Sequence, residues 1–446
     1  MTETPAKRPP WEERFAALPP ASLKAAILAL SEALDASAAD ALESCVRCGL
    51  CAESCHYVLD DKDLRSLPAY KLNLVLRVFR RQVAGPGRLR RRAAGLSRDD
   101  IREWTDALYG RCSLCGRCSL NCAMGLNLPA VIRKGRAVLA SLDLLPDGLD
   151  STLSTARDSG NNMGIAREDW TATAAWLEED LRIETGDPSL RLPMDEPGAD
   201  VLYVINPREA KFYPLTLMAA AKLFHAAGRR WTLSSSAFDV TNYAYFTGDD
   251  ALAALFAGRL RAAMDALRAK TLVLSECGHG FAANRWEAAS WLAETSGREV
   301  RSVLEIVAED AKAGRLRFDP SRHSKRVTLH DPCQLVRLGG IIEEPRTILK
   351  RAVADFAEMT PNRKDNYCCG GGGGQLSMTA YAARRRSAGR IKAAQISRSE
   401  AKIVASPCHN CLDQLSELNR HYKLGVEVKS VLELAAEALV PGTVRP

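Results

Sequence analysis

Thirteen of the fourteen cysteines in this sequence fall into patterns that can bind metal. Eight of them form two runs with the same spacing, C-x2-C-x2-C-x3-C. In bacterial chains with this spacing, two [4Fe–4S] clusters are bound and the fourth cysteine of each run ligates the cluster of the other run. The runs therefore predict two cubane clusters, one with Cys45, Cys48, Cys51 and Cys122 as ligands, the other with Cys112, Cys115, Cys118 and Cys55.

Structural zinc is the alternative interpretation of the two runs, because tetrahedral zinc sites also use CxxC pairs. Zinc sites usually pair two separated CxxC units, whereas each run here has four cysteines within eleven residues. Iron–sulfur binding is therefore favoured. Each run also contains a glycine, Gly49 or Gly116, which allows the backbone to approach a cluster closely. His56 and Ala123 follow the fourth cysteines, where the usual run has proline, so only the local turn is left open.

Five further cysteines lie in the last 114 residues, namely Cys333, Cys368, Cys369, Cys408 and Cys411. Three short predicted strands precede them, and ligands in α/β sheets gather at the carboxyl ends of strands. We therefore expect the five thiols to converge. Adjacent thiolates, such as Cys368 and Cys369, rarely suit one tetrahedral metal but can hold two irons of a larger, irregular cluster. The glycines at 370–374 are expected to leave room for a substrate beside the metal.

The five cysteines belong to the second of two related halves. Three landmarks occur twice in the same order: NPR at 206–208 and DPC at 331–333, NYAY at 242–245 and NYCC at 366–369, SECGHG at 275–280 and SPCHNC at 406–411. The first half retains only Cys277, so it cannot hold a multi-thiolate site by itself. We expect it to act as a scaffold. Cys277 and His279 either face the same cleft as the five thiols, or Cys277 is an inert buried cysteine.

The elements that position these cysteines follow from hydrophobic periodicity. An apolar 3.6-residue pattern predicts a helix within residues 1–40, and further helices are expected near 69–84, near 98–109 and from about 129. From residue 199, short β-branched strands alternate with helices. The predicted domains are an N-terminal helical segment (1–40), a helical dicluster domain (41–145), a linker (146–198), a first α/β half (199–320) and a second α/β half (321–446).

Composition and charge exclude several classes of protein. An apolar content of 46% and a charged content of 26% are ordinary for globular chains, which excludes a disordered chain. The net charge of +7 gives no support to nucleic-acid binding. The N-terminus lacks a secretory signal pattern, so we expect a cytoplasmic protein in which clustered thiols bind metal. Eight arginines between residues 77 and 98 form either a solvated basic segment, which is favoured, or a surface for anionic lipid or an acidic partner.

The pattern of Cys333, the CCG at 368–370 and the C-x2-C at 408–411 resembles the cysteine-rich "CCG" domain of heterodisulfide reductases. With the two preceding runs, residues 40–425 resemble the D-subunit-like family of these enzymes. The likeness is greatest to the subunit of membrane-bound sulfur-metabolism complexes that serve dissimilatory sulfite reductase, and it rests on CVRCGLCAESCHYVLD, PAYKLNLVLRVFRR, SGNNMGI and SECGHG. The resemblance implies an α+β multidomain fold, in which a helical ferredoxin-like dicluster domain precedes a duplicated α/β CCG domain.

The resemblance further implies one noncubane [4Fe–4S] cluster on the five cysteines, where a disulfide is reductively cleaved or formed. The degenerate first half puts a second noncubane cluster in doubt. Departing thiolates need protons or positive charge, and His330, His409 and His279 are the histidines near the motifs. A histidine beside a cluster is more often a hydrogen-bond donor to its surroundings than an acid, and that is the favoured role for each.

Two other functions fit the same motifs. The chain resembles the iron–sulfur subunits of quinone-linked hydroxyacid or glycerol-3-phosphate dehydrogenases, in which the clusters only relay electrons. A zinc-stabilised assembly protein without a redox role is the other alternative. No GxGxxG fingerprint indicates a flavin or a nicotinamide on this chain, so electrons are expected to pass to or from a partner subunit. The family implies a membrane cytochrome b or a soluble flavoprotein as that partner, and a small disulfide or a cysteine pair on a carrier protein as substrate.

Overall fold

The computed structural model describes residues 9–34, 36–82, 96–293 and 298–440. Most of the predicted basic segment, including the four arginines from 88 to 92, lies outside these ranges. The first helices are α1 (Trp11–Ala17), α2 (Pro20–Ala33), α3 (Ala36–Glu43), α4 (Leu50–Glu53), α5 (His56–Asp61), α6 (Pro68–Gln82), α7 (Arg98–Trp104), α8 (Arg117–Leu120), α9 (Leu128–Ser141), α10 (Asp147–Ser159) and α11 (Arg167–Thr185).

Strands and helices alternate from residue 201 onward, as the sequence predicted. The elements are β1 (Val201–Val204), α12 (Pro207–Lys211), α13 (Pro214–Ala226), β2 (Trp231–Thr232), α14 (Asp250–Ala266), β3 (Thr271–Leu274), α15 (Gly278–Ala282), α16 (Ala288–Trp291), β4 (Glu299–Ser302), α17 (Val303–Lys312), β5 (Val327–Leu329), α18 (Glu344–Ala352), β6 (Phe356–Glu358), α19 (Ala382–Ala388), α20 (Arg390–Ser399), β7 (Ile403–Ala405), α21 (His409–Tyr422), β8 (Glu427–Lys429) and α22 (Val431–Glu437).

The chain divides into two compact units, and the helical unit contains three separate segments: Met1–Ser151, Phe246–Asp249 and Gly373–Arg384. The burial of its apolar residues largely follows the helical periodicity of the sequence. Ile27 and Leu30 of α2 are buried, whereas Leu28 points to solvent with 61% of its surface exposed. α2 begins at a proline, whose fixed φ suits the first helical position.

One buried arginine ties the three segments of the helical unit together. Arg136 on α9 is fully buried, and its guanidinium donates hydrogen bonds to the carbonyls of Cys112 (2.6 Å), Phe246 (2.9 Å) and Gly373 (2.8 Å). Its Nε and Nη2 both donate to the Leu108 carbonyl. A buried guanidinium is costly unless its donors are satisfied, and here backbone oxygens satisfy them. The segment that begins at Gly373, within the glycine run, is therefore an integral part of the helical unit.

The α/β unit comprises Thr152–Tyr245, Asp250–Gly372 and Arg385–Pro446. It contains two parallel four-stranded sheets with the same strand order, β2-β1-β3-β4 and β6-β5-β7-β8. In each sheet the first strand of the half pairs in parallel with its neighbours on both sides. The duplicated α/β architecture predicted from the three sequence landmarks is thus present, since both halves have one topology.

The landmarks occupy equivalent places in the two halves. Asn206 and Asp331 each lie two residues beyond the last residue of β1 and β5, respectively. Cys277 is the residue before α15, and Cys408 is the residue before α21. Gly280 takes the place that Cys411 has in the second half, and a Cβ there would lie 2.3 Å from the Val240 carbonyl oxygen. A cysteine would not fit at this position without a backbone shift.

Residues 146–198, predicted as a linker, contain helices α10 and α11. Trp170 and Leu177 of α11 are completely buried in the core of the α/β unit, and the Trp170 indole donates to the Ser234 carbonyl at 3.0 Å. The residues that flank α11 have the composition of loops, so the sequence did not predict this helix. Its apolar face packs in the core of the α/β unit. Across the described parts of the chain, every helix is too short or too polar to cross a lipid bilayer.

Candidate iron–sulfur centres

The two cysteine runs of the helical unit fold in the same way. Each run has left-handed backbone at two positions. These are Arg47 and Gly49 in the first run, and Leu114 and Gly116 in the second. Gly49 and Gly116 then precede the short helices α4 and α8. Glycine adopts positive φ without steric cost, so each run can curl back on itself and turn its sulfurs inward.

Each of two small cavities in the helical unit is lined by three cysteines of one run and the last cysteine of the other. Cys45, Cys48, Cys51 and Cys122 line one cavity. Cys55, Cys112, Cys115 and Cys118 line the other. These are the two sets expected from the spacing rule, in which the fourth ligand comes from the paired run.

A buried lysine lies beside the second of these cavities. Lys71 of α6 is 1% exposed, lines the cavity, and donates to the carbonyls of Ser66 and Arg111, each at 2.7 Å. Burial raises the pKa of the Cys55 thiol, and the positive charge of Lys71 opposes this effect. Lys71 was not among the site residues predicted from the sequence, although a lysine inside the otherwise apolar face of an amphipathic helix was a visible signal.

The five cysteines of the second half converge at one end of the sheet and are all buried. The sulfurs of Cys333 and Cys368 lie 3.8 Å apart, and those of Cys369 and Cys411 lie 3.5 Å apart. Cys408 and Cys411 belong to the start of α21, so that the positive end of its dipole favours thiolates. Two backbone N–H groups of the glycine run donate to sulfur, from Gly370 to Cys368 (3.3 Å) and from Gly371 to Cys369 (3.4 Å).

These contacts shift the pKa values of the thiols in different directions. Hydrogen bonds from the Cys368 and Cys411 thiols lower the pKa of Cys369 well below its usual value. A hydrogen bond from Cys411 likewise lowers the pKa of Cys408 to about 7, whereas donating to both neighbours raises the pKa of Cys411. The site therefore stabilises anionic sulfur, which is the form that binds metal.

The three predicted histidines are all buried, and His330 lies beside these sulfurs. A ring nitrogen of His330 and the sulfurs of Cys369 and Cys411 all lie within 4.8 Å of one another. His409 directs Nδ1 at the Glu276 carbonyl, at 3.0 Å. Burial lowers the pKa of His409 to about 3, and that of His279 also to about 3, so both rings are neutral at neutral pH. Neither is suited to supply a proton from an imidazolium.

Cys277 of the first half lies next to the second-half site. Its sulfur is 3.5 Å from Nδ1 of His279, and among the described residues of its half it belongs to no cluster of metal-binding side chains. The neighbouring Gly278 donates its backbone N–H to Cys408, which helps to lower the pKa of that thiol. The first half thus contributes a backbone donor to the cysteine site.

The glycine run does more than leave space. The sequence predicted that these glycines leave room for a substrate, and Gly373 fits this prediction least. It has φ +66°, and a Cβ there would lie 2.6 Å from the Ser113 carbonyl carbon within the helical unit. A Cβ on Gly374 would lie 3.1 Å from a methyl group of Leu149. These glycines therefore permit close packing of the chain against its neighbours. Gly370, with φ +100°, is the glycine of the run that faces Arg385 and Gln414 near the cysteines.

We expect Gly373→Ala to destabilise the helical unit by about 2 kcal/mol more than Gly125→Ala does, because only Gly373 has a backbone neighbour inside van der Waals distance. Gly125 belongs to the same unit and has φ +67°, and a methyl group on it would meet no described atom within 4 Å. Both substitutions therefore carry the same conformational strain. Thermal unfolding of the two variants by circular dichroism measures the difference. Equal losses would show that the contact with Ser113 is unimportant.

Two protein families match the two sets of cysteines. Residues 41–126 match the family described as "4Fe-4S dicluster domain", and residues 327–416 match the family described as "Cysteine-rich domain" (CCG). Together with the helical and parallel-sheet architecture, these matches define an iron–sulfur oxidoreductase subunit with a dicluster domain followed by a CCG domain.

Curated relatives extend the similarity over most of the chain. It is 28% identical over 445 residues to the Hdr-like menaquinol oxidoreductase iron-sulfur subunit of Archaeoglobus profundus, covering 90% of this chain and 79% of the relative. It is 26% identical over 404 residues to the D subunit of the dihydromethanophenazine:CoB–CoM heterodisulfide reductase of Methanosarcina mazei, covering 89% and 94%. The EtfAB:quinone oxidoreductase of Syntrophomonas wolfei is 23% identical over 411 residues, covering 84% and 55%. The chain is similar over most of its length to heterodisulfide reductase D subunits and to their homologues, and this similarity bears out the family resemblance and the fold class predicted from the sequence.

Proposed function

We propose that this chain passes electrons through two cubane clusters to or from a disulfide-reducing (or disulfide-forming) noncubane [4Fe–4S] site on Cys333, Cys368, Cys369, Cys408 and Cys411. The observation that carries the proposal is the convergence of these five buried thiols in one half of a duplicated unit whose other half has a single cysteine. A single buried cysteine is commonly an inert packing residue, but five thiols held within reach of one another form a ligand set for metal.

The sulfur positions fit metal binding. Two thiolates on one tetrahedral ion with bonds of about 2.3 Å lie about 3.8 Å apart. The pairs Cys333–Cys368 and Cys369–Cys411 have separations of 3.8 and 3.5 Å, so each pair can serve one metal ion of a larger cluster. The N–H donors from the glycine run provide the hydrogen bonds that sulfur ligands commonly accept. When bound, such a cluster would supply iron that can take up a substrate sulfur and accept single electrons.

For the helical unit we propose the ligand sets Cys45, Cys48, Cys51 with Cys122, and Cys112, Cys115, Cys118 with Cys55. Support comes from the two cavities lined by these same sets. Lys71 places positive charge at the second set. A buried cation favours the reduced, more negative state of a nearby cluster. Lys71 is therefore proposed to raise the reduction potential of the cluster on the second set.

The overall reaction consumes two electrons and two protons for each disulfide, which yields two thiols. The electrons are exchanged with a partner subunit, for which a membrane cytochrome b or a soluble flavoprotein is proposed. Hydrogen bonds lower the pKa of two of the buried thiols, Cys369 and Cys408, which favours the thiolate form that binds metal. The disulfide substrate is proposed to be a small molecule or a cysteine pair on a carrier protein.

A relay subunit of a quinone-linked oxidoreductase is the second candidate function. The names of two relatives, a menaquinol oxidoreductase iron-sulfur subunit and an EtfAB:quinone oxidoreductase, favour it. In this role the same thirteen cysteines would bind clusters, but no disulfide would react at the second-half site. The two candidates therefore differ in the response of that site to thiols.

Metal analysis of anaerobically purified protein tests the proposal. We expect about twelve irons per chain, four for each cluster, and a new paramagnetic signal when the sample is oxidised in the presence of a thiol. About twelve irons without any thiol-dependent signal would favour the relay function. Stoichiometric zinc with little iron would contradict both and support a zinc-stabilised protein.

A further inference from the structure

A second buried lysine lies close to the five-cysteine site. Lys392 of α20 is completely buried, and its Nζ donates to Oδ1 of Asn366 at 2.6 Å and to the sulfur of Met359 at 3.7 Å. Within the described ranges it forms no ion pair with a carboxylate. A buried amine without such a partner is unfavourable for packing alone. Its position therefore points to a role for its hydrogen bond to Asn366.

The amide of Asn366 has only one orientation that satisfies its neighbours. Its Nδ2 donates to the Asp331 carbonyl at 2.9 Å, and a carbonyl can only accept. Its Oδ1 then receives the hydrogen bond from Lys392. The two contacts fix the amide independently of each other, so Nδ2 is also the atom that faces Nδ1 of His330, at 3.4 Å.

The orientation of Asn366 determines which nitrogen of His330 carries the proton. An amide N–H facing Nδ1 makes that atom an acceptor, which leaves the hydrogen of the neutral ring on Nε2. Nε2 is buried and has no hydrogen-bond partner among the described residues. With Nδ1 as an acceptor, the ring carries a single proton and is neutral. Burial, with Lys392 nearby, lowers the pKa of His330 and acts in the same direction. The remaining N–H belongs to a ring that lies within 4.8 Å of two site sulfurs.

His409 has the opposite arrangement. Its Nδ1 faces the Glu276 carbonyl, so Nδ1 carries the hydrogen and Nε2 is an acceptor. The two histidines that flank the cysteine motifs are therefore not equivalent. Of the pair, only His330 has an N–H left to offer to sulfur.

We propose that Lys392 and Asn366 are positioning residues that hold His330 as its Nε2–H tautomer, a neutral hydrogen-bond donor to sulfur at the five-cysteine site. This inference deepens the proposed function and rests on it for the identity of the acceptor. Hydrogen bonds to sulfur raise the reduction potential of iron–sulfur centres and orient their ligands. Losing the donor lowers the potential of this site and leaves the two cubanes unchanged.

Four substitutions distinguish a hydrogen-bond donor role of His330 from a role in packing alone. Asn366→Asp replaces the N–H that faces His330 by a carboxylate oxygen, which reverses the tautomer. His330→Leu removes the donor, whereas His330→Gln keeps an N–H at the position of Nε2. We expect His330→Leu and Asn366→Asp to lower the midpoint potential of the thiol-dependent signal and to slow disulfide turnover about tenfold, with His330→Gln close to the wild type. Lys392→Met is expected to lower the midpoint potential and the turnover in the same direction but by a smaller amount.

Redox titration followed by electron paramagnetic resonance measures the potentials, and electron–nuclear double resonance detects the exchangeable proton at the site. That proton signal should vanish in deuterated water and in the Asn366→Asp protein. Unchanged potentials in both His330→Leu and Asn366→Asp would overturn the inference. If the wild-type site holds zinc or no metal, the proposed function fails instead, and the protein is diamagnetic there. The nitrogen-15 shifts of His330 in that preparation then report the tautomer, and a proton on Nδ1 would overturn the inference by itself.

Discussion

The Cys369→Ser variant is expected to lose the thiol-dependent paramagnetic signal and at least about 100-fold of its disulfide turnover, while retaining about eight irons in the two cubanes. Cys369 is 1% exposed, lies 3.5 Å from the sulfur of Cys411, and receives the N–H of Gly371. Hydrogen bonds with its neighbours lower its pKa further than burial raises it, which favours the thiolate form that binds metal. A serine hydroxyl in the same place is not ionised at neutral pH and is a poor ligand for iron.

Cys277→Ala is the matched control for this experiment, since Cys277 is also buried and is the remaining cysteine of the α/β unit. We expect this variant to keep the signal and the iron content, because the first half lacks the other thiols of a site. Disulfide turnover that survives Cys369→Ser would remove the catalytic assignment. Loss of the signal in Cys277→Ala would instead add a sixth cysteine to the site and exclude the inert alternative.

Arg346→Met is expected to destabilise the α/β unit by about 3–5 kcal/mol, because it leaves two carboxylates without their buried cation. The guanidinium of Arg346 is completely buried and binds both oxygens of Asp331, each at 2.8 Å. It also binds both oxygens of Glu358, at 2.7 and 3.0 Å. Asp331 lies between His330 and Cys333, so the loss of this clamp loosens the loop that carries the first cysteine of the site.

The measurement is urea denaturation of anaerobic protein, with Arg326→Met as the control. Arg326 pairs with Asp355 at 2.9 Å on the surface, where both side chains are more than 40% exposed. An exposed pair of this kind is screened by water and contributes little to stability, so the control should differ little from the wild type. Similar losses of stability in the two variants would show that the buried clamp has no special weight.

The spacing of the two runs indicated in advance which four cysteines line each cavity of the helical unit, although that they bind clusters stays a prediction. Four cysteines within eleven residues leave few ways for the backbone to turn, and Gly49 and Gly116 adopt the left-handed turns that such a run needs. The duplication was equally visible, since repeated landmarks follow strands that recur in the same order. The sequence did not predict helix α11, because the residues on either side of it have the composition of loops. The burial of α11 depends on residues distant in sequence.

By itself the sequence determined which residue types are available, where the strands end, and that one half of the duplicated unit retains the cysteines. Only the tertiary structure decided how their surroundings act on them. Lys392, Asn366 and His330 come from three separate parts of the second half and form one hydrogen-bonded series. Arg136 joins three chain segments that no spacing rule connects. Hydrogen-bond direction and burial depend on atoms brought together from far along the chain, so they are properties of the folded protein and not of any motif.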